Sequence, residues 1–152
     1  MDEEEKTVIA LSGGFNPARK SQIAMILDAA KIGDVVIILN SDEWCKRHSF
    51  NGQLFSSYEN REAILRQIPG VVDVIPAEDE DNTVCKTLRD LEPDYFGNGG
   101  LRDVSNTPEV KLCRELGIGT MWYLGDSDDS ELTELAECHL NIAIAKVYNA
   151  GS

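Results

Sequence analysis

Residues 7–31 read TVIALSGGFNPARKSQIAMILDAAK, and the interpretation of this stretch decides the fold. Its first six residues (7–12) form a continuous apolar run of the kind buried in parallel sheets. Residues 19–31 follow as an amphipathic helix, with Ile23, Ile26, Leu27 and Ala30 on one face and Gly33 closing it at the C′ position. Between the two stands Gly13-Gly14. A strand that ends in two glycines and turns into a helix is a place for a phosphate. The bare backbone can approach an anion, and the helix N-terminal N–H groups point at it. Arg19 and Lys20 fall in the first helical turn, where the macrodipole disfavours cations, so an anionic ligand would account for them. A tight βα turn with solvated charges is the competing reading. This stretch alone leaves both open.

The same alternation runs on through the chain. DVVIILN (34–40) is a second apolar strand, leading into Ser41-Asp42-Glu43-Trp44, the basic cluster Lys46-Arg47-His48 and a glycine-containing loop, SFNGQLF (49–55). Ser56 and Glu59 have capping-box spacing and open a helix near Tyr58, which Pro69-Gly70 stops. A third strand (71–77) and an acidic loop come next. Asn82 then caps a helix through Leu91, followed by a short strand, DYFG (94–97), and the glycine turn 97–100. Thr107-Pro108-Glu109 starts another helix with Thr at the N-cap and Pro at N1, and Gly117 ends it. Strand five (119–125) and a last helix (130–146), the latter preceded by the acidic DSDDS, complete the series.

This order, βαβαβαβαβα, predicts a three-layer, Rossmann-like α/β fold with a five-stranded, mainly parallel sheet. With no internal repeat, the expectation is a single domain over 1–152, with 1–6 flexible. In such sheets ligands bind beyond the carboxyl ends of the strands, where strand order reverses. Four loops of unusual content fall on that edge: 13–14, 41–48, 97–100 and 127–130.

Composition narrows the function. The 152 residues carry 27 acids against 14 bases, a net charge of −13, and such a field repels duplex nucleic acid. A small anionic ligand fits only where bases gather, at Arg19-Lys20, at Lys46-Arg47-His48 and around Arg61. The acidic runs 2–5 and 78–81 read as solvated charge. Four cysteines without metal-type spacing read as reduced structural thiols. No apolar run approaches a membrane span and MDEEEK is unlike a signal peptide, so the expectation is a cytoplasmic protein without a membrane partner. His139 reads as a packing or surface residue of the last helix. His48 is the one histidine near the basic cluster, and Trp44 and Trp122 read as core or pocket wall.

Several stretches resemble the cytidylyltransferase-like nucleotidyltransferases. GGFNPARKSQ is similar to their first motif, GxFDPxHxGH. IGDVVIILNSDEWCKR and ENREAILRQIPGVVDVIPAEDED resemble glycerol-3-phosphate cytidylyltransferase and the nucleotidyltransferase domain of ADP-heptose synthase, and EPDYFGNGG stands where those carry a glycine-rich segment. The resemblance covers residues 7–135. It implies transfer of a nucleotidyl group, CMP preferred over AMP, from a Mg²⁺-bound NTP to a small phosphorylated substrate, with pyrophosphate released. A possible homodimer is implied as well.

By the same resemblance Arg19, Lys20, Gln22 and Lys46 are the catalytic candidates. Gly13, Gly14, Phe15, Asn16, Arg61, Gly97, Asn98, Gly99, Gly100 and Ser127 would bind nucleotide and phosphate, and Asp42, Arg47 and His48 the substrate. No residue is assigned to a metal. The departures are sharp. Arg19-Lys20-Ser21-Gln22 falls on the HxGH tetrad, so both signature histidines are absent, and Asn16 replaces the Asp. Arg19 could supply the lost charge as a bidentate phosphate donor. A catalytically inactive relative that binds a nucleotide or phosphosugar for regulation or assembly is the alternative.

Overall fold

The computed structural model describes residues 7–99, 102–125 and 130–149. Five strands, β1 (Val8–Gly13), β2 (Asp34–Leu39), β3 (Val71–Pro76), β4 (Tyr95–Gly97) and β5 (Gly119–Met121), form one sheet in the order β3-β2-β1-β4-β5. Every pairing is parallel, with Leu11 opposite both Ile37 and Gly97. The sheet is therefore wholly parallel, and strand order reverses between β1 and β4.

Side-chain alternation explains the layers. Ile9, Leu11, Val35, Ile37 and Leu39 face one side, where they pack with α1 (Lys20–Ala30), α3 (Tyr58–Arg66) and α6 (Ser130–Asn149). Ala10, Ile38 and Phe96 face the other, against α4 (Cys85–Leu91) and α5 (Glu109–Leu116). Strands covered on both faces must be apolar at successive positions, which is why β2 reads VVIIL without a break. β3, at the edge, exposes Val72 and tolerates Pro76.

Some boundaries depart from the sequence expectations. The stretch after β2 is not a loop: residues Asp42–His48 form α2, capped by Ser41, whose hydroxyl accepts from the Trp44 N–H at 3.0 Å. Asp42 and Glu43 in its first turn and Lys46, Arg47 and His48 in its last complement the macrodipole. The N-cap of α3 is Ser57, not Ser56, so the Ser56–Glu59 capping box does not form. Asn82 does not cap α4. It adopts a left-handed φ of 66°, and the cap is Val84. The α5 cap is Pro108, one residue later than Thr107. β5 stops at Met121, because Tyr123 (φ 61°) and Gly125 (φ 76°) turn the chain.

Gly33 lies one place beyond the expected C′ position, since α1 has its C-cap at Lys31. Its requirement is steric. A Cβ there would overlap the Thr7 carbonyl oxygen at the start of β1. Gly33→Ala is therefore expected to lower unfolding free energy by about 1–3 kcal/mol, the range for forced overpacking, in a urea melt.

Burial pushes the Cys113 thiol up to about 11, with Glu109 and then Cys85 adding to the rise, while Cys138 is exposed. The native state then keeps a proton that the unfolded thiol sheds near pH 9. This contribution to stability is full below pH 9 and declines from there to about 11. In a thiol-exchange assay at pH 8, Cys138 should react at once and Cys113 only on unfolding.

Candidate functional site

At the reversal between β1 and β4 the strand ends frame a cavity of about 510 Å³. Ser12, Gly13 and Gly14 form its floor at the end of β1, and Gly97, Asn98 and Gly99 form it at the end of β4. The first turns of α1 contribute Ser21, Gln22 and Met25, and Trp44 of α2 closes one end. Across from α1 stand Asn82, Thr83 and Val84, with Arg102 and Glu109. Parallel strands that end side by side and diverge into helices on opposite faces leave such a crevice by construction.

Six of the expected residues meet here: Gly13, Gly14, Gln22, Gly97, Asn98 and Gly99. Gln22 is held in place, since its Oε1 accepts from the Arg19 backbone N–H at 2.9 Å. The paired glycines also have a packing reason. A Cβ on Gly13 would lie 2.9 Å from the Phe15 ring, and one on Gly14 3.0 Å from the Cys45 Sγ. Burial raises the Cys45 thiol pKa, opposed by the nearby Arg61 charge.

The remaining expected residues lie elsewhere. Arg19, Lys20 and Lys46 are exposed and outside the cavity lining. Phe15 is buried in the core. Asn16 clamps the loop before α3: its Oδ1 accepts from the N–H groups of Phe55 (2.7 Å) and Ser56 (3.0 Å), and its Nδ2 donates to the Gln53 carbonyl (3.2 Å). A carboxylate could not make the last bond. His48 stacks on Trp44 with ring centroids 4.1 Å apart, and its Nδ1 donates to the Trp44 carbonyl at 3.0 Å. Gly100 and Ser127 lie outside the described residues.

Arg61 and Arg47 are both engaged by groups of the protein itself. Arg61 is 2% exposed. Its Nε donates to the Ser56 carbonyl (2.9 Å), Nη1 to the carbonyls of Gly14 (2.7 Å) and Asn40 (2.8 Å), and Nη2 to Asp42 at 2.6 Å. Asp42 is thereby an ion-pair partner of Arg61. Arg47 donates to the Asp79 carbonyl (3.1 Å) and to Asn82 Oδ1 (3.2 Å), which ties α2 to the loop after β3. Asp79, read from sequence as solvated, is buried and accepts from Asn40 Nδ2, the Ser41 N–H and the Ser41 hydroxyl at 2.8–3.0 Å.

Sequence reasoning missed Arg102 and Glu109 as site residues. Among the described residues Arg102 is the only cation in the cavity lining. Its signal was its place two residues after the glycine turn 97–100. Glu109 is 2% exposed, and its Oε2 accepts from the Val84 N–H at 2.9 Å. Chemically the described residues of the lining offer backbone groups at two strand ends, a helix N-terminus, one guanidinium and one carboxylate. Among the described residues no group of three His, Cys, Asp or Glu side chains is placed to hold a metal, and no helix is long and apolar enough to cross a membrane.

A wholly parallel five-stranded sheet with its crevice at the reversal point defines a Rossmann-like α/β protein. Comparison with known proteins takes this further. The chain is 30% identical over 115 residues to the bifunctional protein HldE of Streptomyces coelicolor, matching 75% of this chain but spanning only 24% of that protein. It is 23% identical to the FAD synthase of Picrophilus torridus, over 93% of this chain and 98% of that one. It is 25% identical to the D-beta-D-heptose 1-phosphate adenylyltransferase of Bordetella bronchiseptica, over 74% and 69%. The lipopolysaccharide core biosynthesis protein of Thermoplasma volcanium shares the fold, with a TM-score of 0.62 at 19% identity over 78% of this chain and 95% of that one. No family model matches. These relatives support the cytidylyltransferase-like nucleotidyltransferase superfamily, and the solved structure agrees with them in fold.

Because Arg61 satisfies three carbonyls and a carboxylate, Arg61→Leu is expected to cost about 3 kcal/mol in a denaturant melt. An unchanged melt would make this arginine a ligand group and not a structural one.

Proposed function

We propose that the chain transfers a nucleotidyl group from an NTP to a small phosphorylated acceptor. An acceptor phosphate oxygen attacks the α-phosphorus, the α–β phosphoanhydride bond breaks, and pyrophosphate leaves. The observation that carries this reading is the cavity at the β1–β4 reversal, floored by Gly13-Gly14 and Gly97 to Gly99 and flanked by the start of α1. Phosphoryl chemistry of this kind asks a protein for positioning and for stabilisation of spread negative charge, with little covalent work.

Gln22 is suited to a phosphate oxygen, because its Oε1 is engaged with the backbone and its Nε2 remains to donate. Arg102 supplies charge from within the lining, and Arg19, Lys20 and Lys46 are exposed cations outside it. Mg²⁺ enters as part of the Mg·NTP substrate, neutralising charge on the leaving pyrophosphate. Similarity over 32–47 points to CTP, and the name of the Bordetella relative points to ATP. The acceptor class follows the same relative, a sugar phosphate.

A second reading, a ligand-binding relative without turnover, is favoured by one observation. The internal arginine that would reach phosphates is enclosed by carbonyls. The two readings separate in a pyrophosphate-release assay, with four NTPs crossed against glycerol 3-phosphate, phosphocholine and heptose phosphates. Transfer predicts turnover with CTP or ATP that chelation of Mg²⁺ abolishes and that Arg102→Ala lowers about a hundredfold. Nucleotide binding without pyrophosphate would establish the second reading.

A further inference from the structure

Glu109 is the residue of the cavity whose chemistry the proposed transfer leaves unused. It opens α5, is 2% exposed, and belongs to the lining. One carboxylate oxygen is committed to the Val84 N–H, while the other, Oε1, is buried with no protein partner among the described residues. A buried acceptor left unmatched is costly, and native proteins rarely keep one without a function. The start of α5 eases the charge, since negative side chains are favoured in a first turn. It does not supply the missing donor.

The surroundings narrow what the donor is. Arg102 lines the same cavity, its Nη1 donating weakly to Asn98 Oδ1 at 3.4 Å. An ammonium ligand would meet that guanidinium as a like charge. A hydroxyl suits a wall that presents both a carboxylate and a cation, because it donates to the one while accepting from the other. Asn82, Thr83 and Asn98, also in the lining, are of the type that surrounds a polyhydroxylated compound.

We infer that Glu109 is a specificity residue that accepts a hydrogen bond from a sugar or polyol hydroxyl of a bound substrate. The inference deepens the proposed function by naming the chemical group that this wall selects. The hydroxyl belongs either to the ribose of the NTP or to the phosphorylated acceptor, and binding measurements distinguish them without any need for turnover.

The test is calorimetric, on the full chain. Wild-type protein is titrated with CTP and ATP and with their 2′,3′-dideoxy counterparts, then with glycerol 3-phosphate and with propyl phosphate, which lacks its hydroxyls. Hydrogen bonds to a charged partner predict that wild type prefers one hydroxylated ligand by about tenfold or more. That ratio should fall to about one in Glu109→Gln, which keeps an oxygen for the Val84 N–H but turns an NH₂ toward the cavity. A collapsing nucleotide ratio assigns the ribose, and a collapsing acceptor ratio assigns the acceptor. Equal affinity for both members of each pair in wild type overturns the inference and needs no variant. A wild-type preference that persists in a folded Glu109→Gln also overturns it. If the ratio collapses but no pyrophosphate is released, the inference stands and the transfer reading fails. Turnover with no hydroxyl discrimination is the reverse case.

Discussion

The guanidinium of Arg61 is the point on which the carboxyl edge of the sheet depends. Parallel strands end with carbonyls that have no strand partner, and a loop that leaves a buried edge must satisfy them or bring in water. Arg61 reaches the Gly14 carbonyl after β1, the Asn40 carbonyl after β2 and the Ser56 carbonyl before its own helix, and closes the set on Asp42. The turn after β1, the 40–42 segment after β2 and the loop before α3 are thus fixed by one side chain. Its five N–H donors in a planar fork make this possible, and lysine has no equivalent geometry.

A second polar knot lies beside the first and depends on it. Asp79 binds Asn40 and Ser41, and Asn40 is the residue whose carbonyl Arg61 holds. Ser41 in turn caps α2, and Arg47 at the far end of α2 returns to the Asp79 carbonyl. Buried charges are tolerable here because the donors and acceptors largely match, so desolvation is offset by hydrogen bonds that water would otherwise supply. The consequence for the site is placement. Trp44, carried on α2, walls the cavity because this network sets α2 where it is.

Much of the fold was legible because burial imposes pattern. The apolar runs of β1 and β2 and the face of α1 follow from packing on two sides. The helical crossovers imply parallel strands and put 13–14 and 97–100 on the carboxyl edge, while the strand order that brings Gly13-Gly14 and Gly97 to Gly99 to one cavity comes from the structure. What sequence could not reveal was the use of charge. Arg61, Arg47 and Asp79 read as solvent- or ligand-facing groups, since a residue type does not state whether carbonyls forty residues away will need it. α2 was missed although its acids precede its bases and Ser41 stands at the cap, because the glycine loop that follows drew the stretch into an irregular reading. Arg102 and Glu109 sit in a turn and at a helix start, where a local role sufficed to explain each.

The net charge of −13 constrains how this cavity can hold an anion. At physiological salt, exposed charges are screened beyond roughly 8 Å, so the acidic surface weakens steering of a nucleotide more than it weakens the bound state. The local terms then decide. Of the described cations, only Arg102 lines the cavity, and the Glu109 carboxylate shares that lining. A free triphosphate would be poorly matched by such a wall. A Mg²⁺-bearing triphosphate has part of its charge already neutralised, and backbone N–H groups at the strand ends and the start of α1 can address the rest. On the proposed reading, the lost histidine pair therefore places the burden of charge stabilisation on the metal and on backbone dipoles. The side chains of the cavity are left mainly to choose which hydroxylated partner is seated beside it.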